Sequence, residues 1–552
     1  MHRPVGFFLA VAVLVVAAWW WLGSAVSMPP SPLQAGEKLN CVSYSPYRGW
    51  QTPLNRSQRM ESWQIDEDLA LLSKVSDCVR IYSVQDGWEQ VPELARRHGL
   101  DVLLGIWVSN EAEPTRRQIE AGIALANQYS DIVRAVIVGN ETLLRREVTA
   151  AHLASLITTV KKQVSVPVTY ADVWEFWLQN PELAKVTDFV TIHILPYWED
   201  HPIPASTSGA HISSIRQRVA ETFPGKEVLI GEVGWPSAGR MRWGALPSRS
   251  NQAQVLHEVL HRSKAEGFDV NIIEAFDQPW KRILEGTVGG HWGLLTDPPR
   301  EAKFAWGQPV SNHPFWIWQA LGGIVLAAGV FGAALATTHR REAVGPESVI
   351  ESEPDNGPRN GTWLAISAVA AVSGVLIGYT VEAALFESLG LGGWLRGAAL
   401  IGIALVGPLL VAAAIARRMT IPAFVSVLGP AAERVGGALE RALGWLVIAT
   451  TILCVQAALG LTFNPRYLDF PFAPLTAVLV PLLVLSMMTP RLPGIRPRAE
   501  IAVMAVIAPC AVFILWNETL QNWQALWFVA MLALLVVILA RVRAAPGSTA
   551  AA

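Results

Sequence analysis

Charged residues are scarce in this sequence: aspartate, glutamate, lysine and arginine make up 16% of its 552 residues, with a net charge of −2. A protein that binds the nucleic-acid backbone needs a concentrated group of lysines and arginines. No loop of the chain concentrates such residues, so we exclude nucleic acid as a partner. The hydrophobic share of 52% is high for a soluble enzyme of this length and predicts membrane segments.

Cysteine is also rare, with four residues and no Cys-x-x-Cys pair or cysteine–histidine spacing typical of a zinc site. Cys41 and Cys78 occupy matching positions in LNCVSYSP and DCVRIYSV, which read as neighbouring strands. They could form a disulfide in an oxidising compartment, or remain two buried thiols. Cys454 and Cys510 lie in apolar runs.

Long apolar runs are abundant, and eight of them have about the length that crosses a bilayer. They cover 5–23, 315–337, 362–380, 394–416, 443–463, 471–488, 499–517 and 523–540. The first run predicts a retained anchor, with cleavage as a signal peptide after Ala25 or Ser27 as the alternative. The sequence thus predicts an anchor and linker over 1–35 and an all-α domain of seven transmembrane spans over 310–545.

Arginines are distributed unevenly among the loops between these runs. The loops on the side of Arg3 hold Arg340, Arg341, Arg359, Arg417, Arg418, Arg434, Arg441, Arg491, Arg496, Arg498, Arg541 and Arg543. The opposite short loops hold Arg466, with Arg396 at the edge of a span. Because cationic residues close to a span tend to stay in the cytoplasm, we expect both termini there and the section 36–309 on the other side.

The section 36–309 is polar enough to be soluble, and strand-like pieces alternate in it with helix-like stretches. The strand-like pieces are LNCVSYSP, CVRIYS, VLLGIW, VRAVIVGNE, VPVTYADV, FVTIHILPYW, EVLIGEVGWP and VNIIEAF. Parallel strands need crossover connections, so this order predicts an α/β fold, the (β/α)8 TIM barrel. A doubly wound open sheet is the alternative, but it would leave the polar residues at the strand ends without a common centre.

Two glutamates stand at the ends of predicted strands four and seven, Glu141 and Glu232. The C-terminal ends of the strands form the working face of a TIM barrel, so we expect these side chains to converge. Two carboxyl groups about 5–5.5 Å apart allow retaining glycoside hydrolysis, with one as acid/base and the other as nucleophile. Asn140 could donate to a sugar hydroxyl or to the nucleophile. This chemistry needs no metal and no organic cofactor, and we expect none.

Five motifs of this section resemble, in order, the successive signatures of glycoside hydrolase family 17. They are VGNE at 138–141, PYW at 196–198, IGEVGWPS at 230–237, EAFDQPWK at 274–281 and HWGLL at 291–295. The resemblance covers nearly all of 38–306 and implies a retaining enzyme that acts on β-1,3-glucans and related β-glucans. It implies Glu141 as the acid/base and Glu232 as the nucleophile. The matching positions around this pair are Tyr82, Tyr197, Lys281 and Glu285.

The sequence departs from the family pattern at two places. Ser83 stands where many relatives have aspartate, and Gln278 stands where they usually have an acidic residue. Both changes remove a carboxylate near the expected cleft, which could alter the preference for sugar units without touching the catalytic pair.

Further candidates for sugar contact lie beside these motifs. Trp198, Trp235 and Trp280 could stack on the apolar faces of sugar rings, with core packing as the alternative. Glu274 could bind a sugar hydroxyl or pair with Lys281. His193 could contact a hydroxyl or be a satisfied core histidine.

The segment EDHPIPASTSGAH after PYW, together with the many spans, resembles the bacterial membrane-attached branch of the family. That branch is associated with periplasmic β-1,3/β-1,6-glucans, including the cyclic glucans of rhizobia. The resemblance implies a multi-pass protein of the bacterial inner membrane with a periplasmic barrel. Its expected partners are a β-glucan, the lipid bilayer and, as a further candidate, a membrane glucan synthase.

From this setting we expect a transglycosylase that remodels, branches or cyclises β-1,3-glucan. A membrane-bound β-1,3-glucan hydrolase is the first alternative, because both reactions pass through the same glycosyl-enzyme. A protein that exports or binds glucan is the second.

Overall fold

The computed structural model describes residues 2–55, 57–343, 360–430, 434–490 and 493–544. The chain divides into two compact units. One unit is Ala25–Val310, and the other joins Met1–Ser24 to Ser311–Ala552. Of the sequence features above, Arg359, Arg491 and position 545 lie outside the described residues.

A closed barrel of eight parallel strands forms the centre of the unit Ala25–Val310. The strands are β1 (Cys41–Ser43), β2 (Cys78–Arg80), β3 (Asp101–Ile106), β4 (Val133–Asn140), β5 (Val168–Val173), β6 (Val190–His193), β7 (Val228–Val233) and β8 (Val270–Ile272). Each strand pairs with its neighbours in the chain, and β1 closes the barrel on β8. The predicted (β/α)8 barrel is therefore confirmed, and the open doubly wound sheet is wrong.

Helices follow the strands and cover the barrel, which is why most strand residues are buried on both faces. The first helix of the chain, α1 (His2–Leu22), belongs to the other unit. The helices of the barrel unit are α2 (Ser62–Leu72), α3 (Val91–Arg97), α4 (Ala112–Gln128), α5 (Ala150–Lys161), α6 (Trp174–Gln179), α7 (Ala205–Thr222), α8 (Arg249–Glu266) and α9 (Arg282–Gly289). Short 3-10 turns lie at Trp88–Gln90, Pro181–Lys185 and Pro279–Lys281.

Local sequence signals set several helix ends. Thr149 caps α5 by accepting a hydrogen bond from the His152 amide, and Ser248 caps α8 through the Asn251 amide. Gly267 ends α8 at a φ of 68°, a left-handed conformation that glycine adopts without steric cost.

A disulfide bond joins Cys41 to Cys78, the first residues of β1 and β2, with a Cα–Cα distance of 4.4 Å. Of the two alternatives open from the sequence, the bridge is therefore the one that forms. It lies at the N-terminal ends of the strands, the face of the barrel opposite the one where a TIM barrel places its chemistry.

The two ends of this unit meet. Val26 and Val310 form an isolated antiparallel bridge in which each amide donates to the other carbonyl at 2.9 Å. The chain therefore enters and leaves the barrel unit at one place.

The second unit consists of apolar helices. They are α1, α10 (Trp316–Ala343), α11 (Asn360–Glu387), α12 (Gly390–Arg417), the short α13 (Val425–Leu428), α14 (Ala438–Phe463), α15 (Phe472–Met488), α16 (Arg498–Glu518) and α17 (Trp523–Arg541). Within the described residues, seven helices are long and apolar enough to cross a membrane, and α15 is a shorter apolar helix of 17 residues. All eight predicted runs are thus helical, and the long apolar helices expected for a membrane region are confirmed.

The first helix packs among the others. Trp19 on α1 is fully buried, and its indole Nε1 donates to the Val375 carbonyl of α11 at 3.1 Å. On α10 and α11, Gly323 and Gly374 face each other so closely that a Cβ at Gly323 would lie 2.1 Å from the Gly374 carbonyl oxygen. Small residues allow membrane helices to approach in this way.

Candidate active site

The C-terminal ends of β2, β4, β6 and β7 bring four polar side chains together. Arg80 ends β2, Glu141 follows β4, His193 ends β6 and Glu232 lies near the end of β7. A carboxylate oxygen of Glu141, a carboxylate oxygen of Glu232 and a ring nitrogen of His193 all lie within 4.8 Å of one another. The convergence predicted for the two glutamates is therefore present. Their spacing fits a retaining pair at about 5–5.5 Å and not an inverting pair at about 6.5–9.5 Å.

A tight turn after β4 presents Glu141. Its backbone has a φ of 51°, an uncommon conformation for a residue with a side chain. Its amide donates to the Ala171 carbonyl at 2.8 Å, and the next turn is held by Asp172, which accepts from the Leu143 amide at 3.2 Å. Uncommon backbone conformations persist where the surroundings enforce them, often in active sites.

Glu232 is almost buried and is held by two donors. The Tyr82 hydroxyl donates to Glu232 Oε1 at 2.9 Å, and Arg80 Nη1 lies 3.3 Å from the same oxygen. Burial raises the pKa of Tyr82 well above its ordinary value, so its hydroxyl keeps the proton that it donates. These contacts fix the carboxylate in one orientation, as a nucleophile requires.

Arg80 contacts both His193 and Glu232, and it was not among the residues predicted from the sequence. Its Nη1 donates to the Gly231 carbonyl at 2.5 Å and its Nη2 to Asn140 Oδ1 at 2.6 Å. Both Nη atoms also lie 3.3 Å from His193 Nε2. The available signal was its place two residues before Tyr82 at a strand end.

His193 lies between the two carboxylates with its side chain fully buried. Its Nδ1 is 2.9 Å from Glu141 Oε1, and its Nε2 is 3.6 Å from Glu232 Oε1. The sequence left open a hydroxyl contact or a core histidine. The structure instead shows a buried histidine bonded to the predicted acid/base.

The electrostatic environment of Glu141 favours its ionised form. Burial raises the pKa of this carboxyl, but the hydrogen bond with His193 and the charges of Arg80 and Arg145 act against burial, and the pKa is lowered. A general acid must carry a proton, whereas a general base must be ionised. This arrangement therefore suits the base half of a retaining cycle.

Three further predicted residues form a charged group beside this pair. Glu274 is buried, with Oε2 accepting from Lys281 Nζ at 2.9 Å and Oε1 lying 3.4 Å from Ser45 Oγ. Burial raises the pKa of Glu285 to about 7, the charge of Lys281 opposes that rise, and the carboxylates of Glu274, Glu141 and Glu232 add to it. The structure therefore brings Glu274, Lys281 and Glu285 close to the two glutamates predicted from the sequence.

The predicted aromatic residues separate into two groups. Trp198 and Trp280 are partly exposed. Trp198 stacks on Trp292 with ring centroids 6.5 Å apart, and Trp280 donates to Gln278 Oε1 at 2.8 Å. Both keep surface that a sugar could reach.

Tyr197 and Trp235, in contrast, are fully buried. The Tyr197 hydroxyl donates to the Arg240 carbonyl at 2.9 Å, and Trp235 Nε1 donates to the Leu246 carbonyl at 3.1 Å. The rings of Tyr197 and Trp198 meet edge to face at 4.9 Å. Neither ring is exposed to a sugar. Trp235 therefore follows the core-packing alternative, and the predicted place of Tyr197 at the cleft is corrected to a buried position against Trp198.

Ser83 and Gln278, the two residues that depart from the family pattern, form hydrogen bonds with neutral partners. Ser83 Oγ accepts from Gln118 Nε2 at 2.6 Å, and Gln278 Nε2 donates to the Ser45 carbonyl at 3.2 Å. Gln278 also orients Trp280, so this position acts on the cleft through that ring.

Glu141, His193 and Glu232 also have the spacing of a metal-binding group. Arg80 faces His193 Nε2 and Glu232, and a guanidinium can only donate. A divalent ion held by all three residues would lie against this fixed positive charge. The donor set therefore does not fit a metal.

Comparison with known proteins gives matches in the barrel unit. Residues 41–293 match the BtgE/BtgC glycoside hydrolase domain. A glucan 1,3-β-glucosidase of Candida albicans is 28% identical over 250 residues, which cover 41% of this chain and 81% of that protein. A glucan 1,3-β-glucosidase of Saccharomyces cerevisiae is 25% identical over 254 residues, covering 42% and 81%.

Among solved structures, the glycoside hydrolase family 17 β-1,3-glucanosyltransferase of Rhizomucor miehei is similar, with 26% identity and a TM-score of 0.42. The match covers 48% of this chain and 95% of that one.

Proposed function

We propose that this chain is a retaining β-glucan-processing enzyme that acts on β-1,3-glucan, because residues 41–293 match the BtgE/BtgC glycoside hydrolase domain. The observation that carries the proposal is the approach of the Glu141 and Glu232 carboxylates to within 4.8 Å. The yeast relatives, both called glucan 1,3-β-glucosidase, support this substrate.

In the first step, Glu232 attacks the anomeric carbon while Glu141 gives a proton to the departing glycosidic oxygen. Tyr82 and Arg80 hold Glu232 for this attack. Arg80 occupies the Asn140 oxygen, which leaves the Asn140 amide hydrogens for a sugar hydroxyl. A glycosyl ester on Glu232 results.

In the second step, Glu141 takes a proton from the hydroxyl that attacks the ester. Water as the attacking group gives hydrolysis, and a sugar hydroxyl gives transfer. We favour transfer that remodels, branches through β-1,6 links or cyclises the glucan, because a membrane-held enzyme stays near newly made chains. A membrane-bound β-1,3-glucan hydrolase is the alternative, and a glucan export or binding protein is the second.

We place the protein in a bacterial inner membrane, with the barrel in the periplasm. The uneven distribution of arginines supports this orientation. The disulfide between Cys41 and Cys78 supports an oxidising compartment for the barrel. A membrane glucan synthase is the partner that this location favours.

The test is to incubate the full chain, purified in detergent, with a laminari-oligosaccharide and to analyse the product masses. Products longer than the substrate support transfer, and only shorter ones favour hydrolysis. Glu232→Gln and Glu141→Gln should each reduce either reaction by at least about a thousandfold. Exposed Glu120→Gln is the matched control. Full activity in both active-site variants would overturn the proposal.

A further inference from the structure

We propose that His193 is a positioning residue that keeps Glu141 ionised in the resting site by donating its Nδ1 hydrogen to Glu141 Oε1, with Arg80 fixing the tautomer. The inference rests on the proposed function, since it assigns a cause to the behaviour of the acid/base. It adds to the pair of glutamates a third residue that acts through one of them.

The hydrogen bonds of Arg80 determine which nitrogen of His193 carries the hydrogen. Arginine stays charged in proteins and can only donate. The two Nη atoms carry four hydrogens, and four acceptors surround them: the Gly231 carbonyl, Glu232 Oε1, Asn140 Oδ1 and His193 Nε2. Nε2 must therefore present its lone pair. The hydrogen of the neutral ring is then on Nδ1, 2.9 Å from Glu141 Oε1.

The alternative forms of the ring conflict with this surrounding. A charged imidazolium would be fully buried and would direct an N–H at the guanidinium of Arg80. A neutral ring with its hydrogen on Nε2 meets the same two donors. Its Nε2 is 3.6 Å from Glu232 Oε1, which is too long for a good hydrogen bond.

Other charged groups also act on Glu141 from the surrounding elements. Arg80 on β2 and Arg145 after β4 favour the ionised form. The carboxyl groups of Asp172 on β5 and Glu285 on α9 interact with it unfavourably as negative neighbours. His193 is the group among them that bonds directly to a Glu141 oxygen.

The consequence concerns the second step of the cycle. There the acceptor oxygen forms a bond to the anomeric carbon, the ester bond to Glu232 breaks, and the acceptor proton moves to Glu141. An ionised Glu141 is ready to take that proton. The same ionisation limits the first step, because that step needs a protonated Glu141, and it sets the pH at which activity declines on the basic side.

The experiment compares pH profiles of the full chain with two substrates. For a laminari-oligosaccharide, whose cleavage needs the acid, His193→Leu should move the basic limb of kcat/KM upward by about one pH unit or more, because the donor to the ionised form is lost. The second substrate is an aryl β-glycoside of laminaribiose, whose good leaving group departs without a proton, so that its turnover needs Glu141 only as the base. With this substrate the acidic limb of the kcat profile should also move to higher pH.

His193→Asn retains an amide N–H near the position of Nδ1 and should restore the original limbs. His98→Asn is the matched control, since His98 pairs with Asp66 at 2.9 Å between helices on the barrel's exterior. A His193→Leu variant that folds with unmoved limbs overturns this inference. If His193→Leu is unstable, the comparison is made between His193→Asn and His193→Gln, because glutamine cannot place a donor at the position of Nδ1. Identical pH profiles of these two variants would also overturn the inference. Loss of activity in the two glutamate variants shows separately whether the proposed function holds.

Discussion

At the scale of single residues, the candidate active site is a set of donors arranged around two carboxylates. Tyr82 and Arg80 form hydrogen bonds with Glu232, whereas His193 forms one with Glu141. Each glutamate therefore has its own donor. Changing one donor should affect one half of the reaction more than the other.

Tyr82→Phe should reduce kcat for a laminari-oligosaccharide by about ten- to a hundredfold with little change in KM, because Glu232 loses a donor that fixes it. The ring would remain under the Arg80 guanidinium, whose carbon lies 4.8 Å from its centroid. The measurement is steady-state kinetics. Tyr129→Phe is the control, because Arg96 lies over that ring in the same way at 4.7 Å. An unchanged kcat in Tyr82→Phe would exclude a role for its hydroxyl.

Glu285 should make stability depend on pH. Its folded pKa of about 7 is above the ordinary value of 4.5, so the folded state binds more protons than the unfolded state between these values. This group therefore lowers stability progressively as pH rises from about 4.5 to about 7, and the loss stays constant at higher pH. Glu285→Gln should raise the Tm of the barrel by about 2 °C or more at pH 8 and leave it unchanged at pH 4. An equal rise at both pH values would count against this account, and exposed Glu93→Gln is the control.

Sequence reasoning reached Glu141 and Glu232 because their places at strand ends are visible in the chain. It missed Arg80 and left the role of His193 open because both roles depend on contacts across the barrel, between residues 52 to 152 positions apart in the chain. Tyr197 and Trp235 lie beside recognisable motifs, but burial depends on what packs over a side chain. Proximity to a motif does not determine that.

At the scale of elements, the bridge between β1 and β2 constrains strands of only three residues each. The double change Cys41→Ser with Cys78→Ser should lower the free energy of unfolding of the barrel by about 3–4 kcal/mol, since it opens a loop of 37 residues. Denaturant unfolding of the full chain, followed by tryptophan fluorescence, measures this. Cys510→Ala, at a free cysteine, should leave the barrel transition in place. A wild-type transition insensitive to reductant would contradict the prediction.

The contact of α10 with α11 depends on Gly323. Gly323→Leu should separate these helices and lower the thermal stability of the detergent-purified protein, because its side chain has no room against the Gly374 backbone. Gly322→Leu is a matched control in the same helix, since nothing lies within 4 Å of a Cβ there. Equal melting of the two variants would show that the close approach is not required.

Element types were predictable because periodicity and run length are local properties. The apolar run 471–488 became α15 at nearly the predicted bounds. The bridge between Cys41 and Cys78 remained open until the register of β1 against β2 was known, with Val42 opposite Val79. Register depends on closure of the whole barrel.

At the scale of the whole molecule, the eight long apolar runs and the arginines between them predict that the barrel and the arginine-rich loops lie on opposite sides of the membrane. In spheroplasts of a bacterial host, exposed Ser155→Cys on α5 should react with a membrane-impermeant maleimide. Arg417→Cys at the end of α12 should react only after lysis. Labelling of Arg417→Cys in intact spheroplasts would contradict the proposed topology.

The pairing of Val26 with Val310 has a consequence for how such a protein can be assembled. An inserted domain whose two ends are adjacent can be deleted without changing the path of the chain on either side of it. A chain in which a short turn replaces 27–309 should therefore still be able to form the helical unit. In the same way, another folded domain with adjacent termini could be spliced into this position.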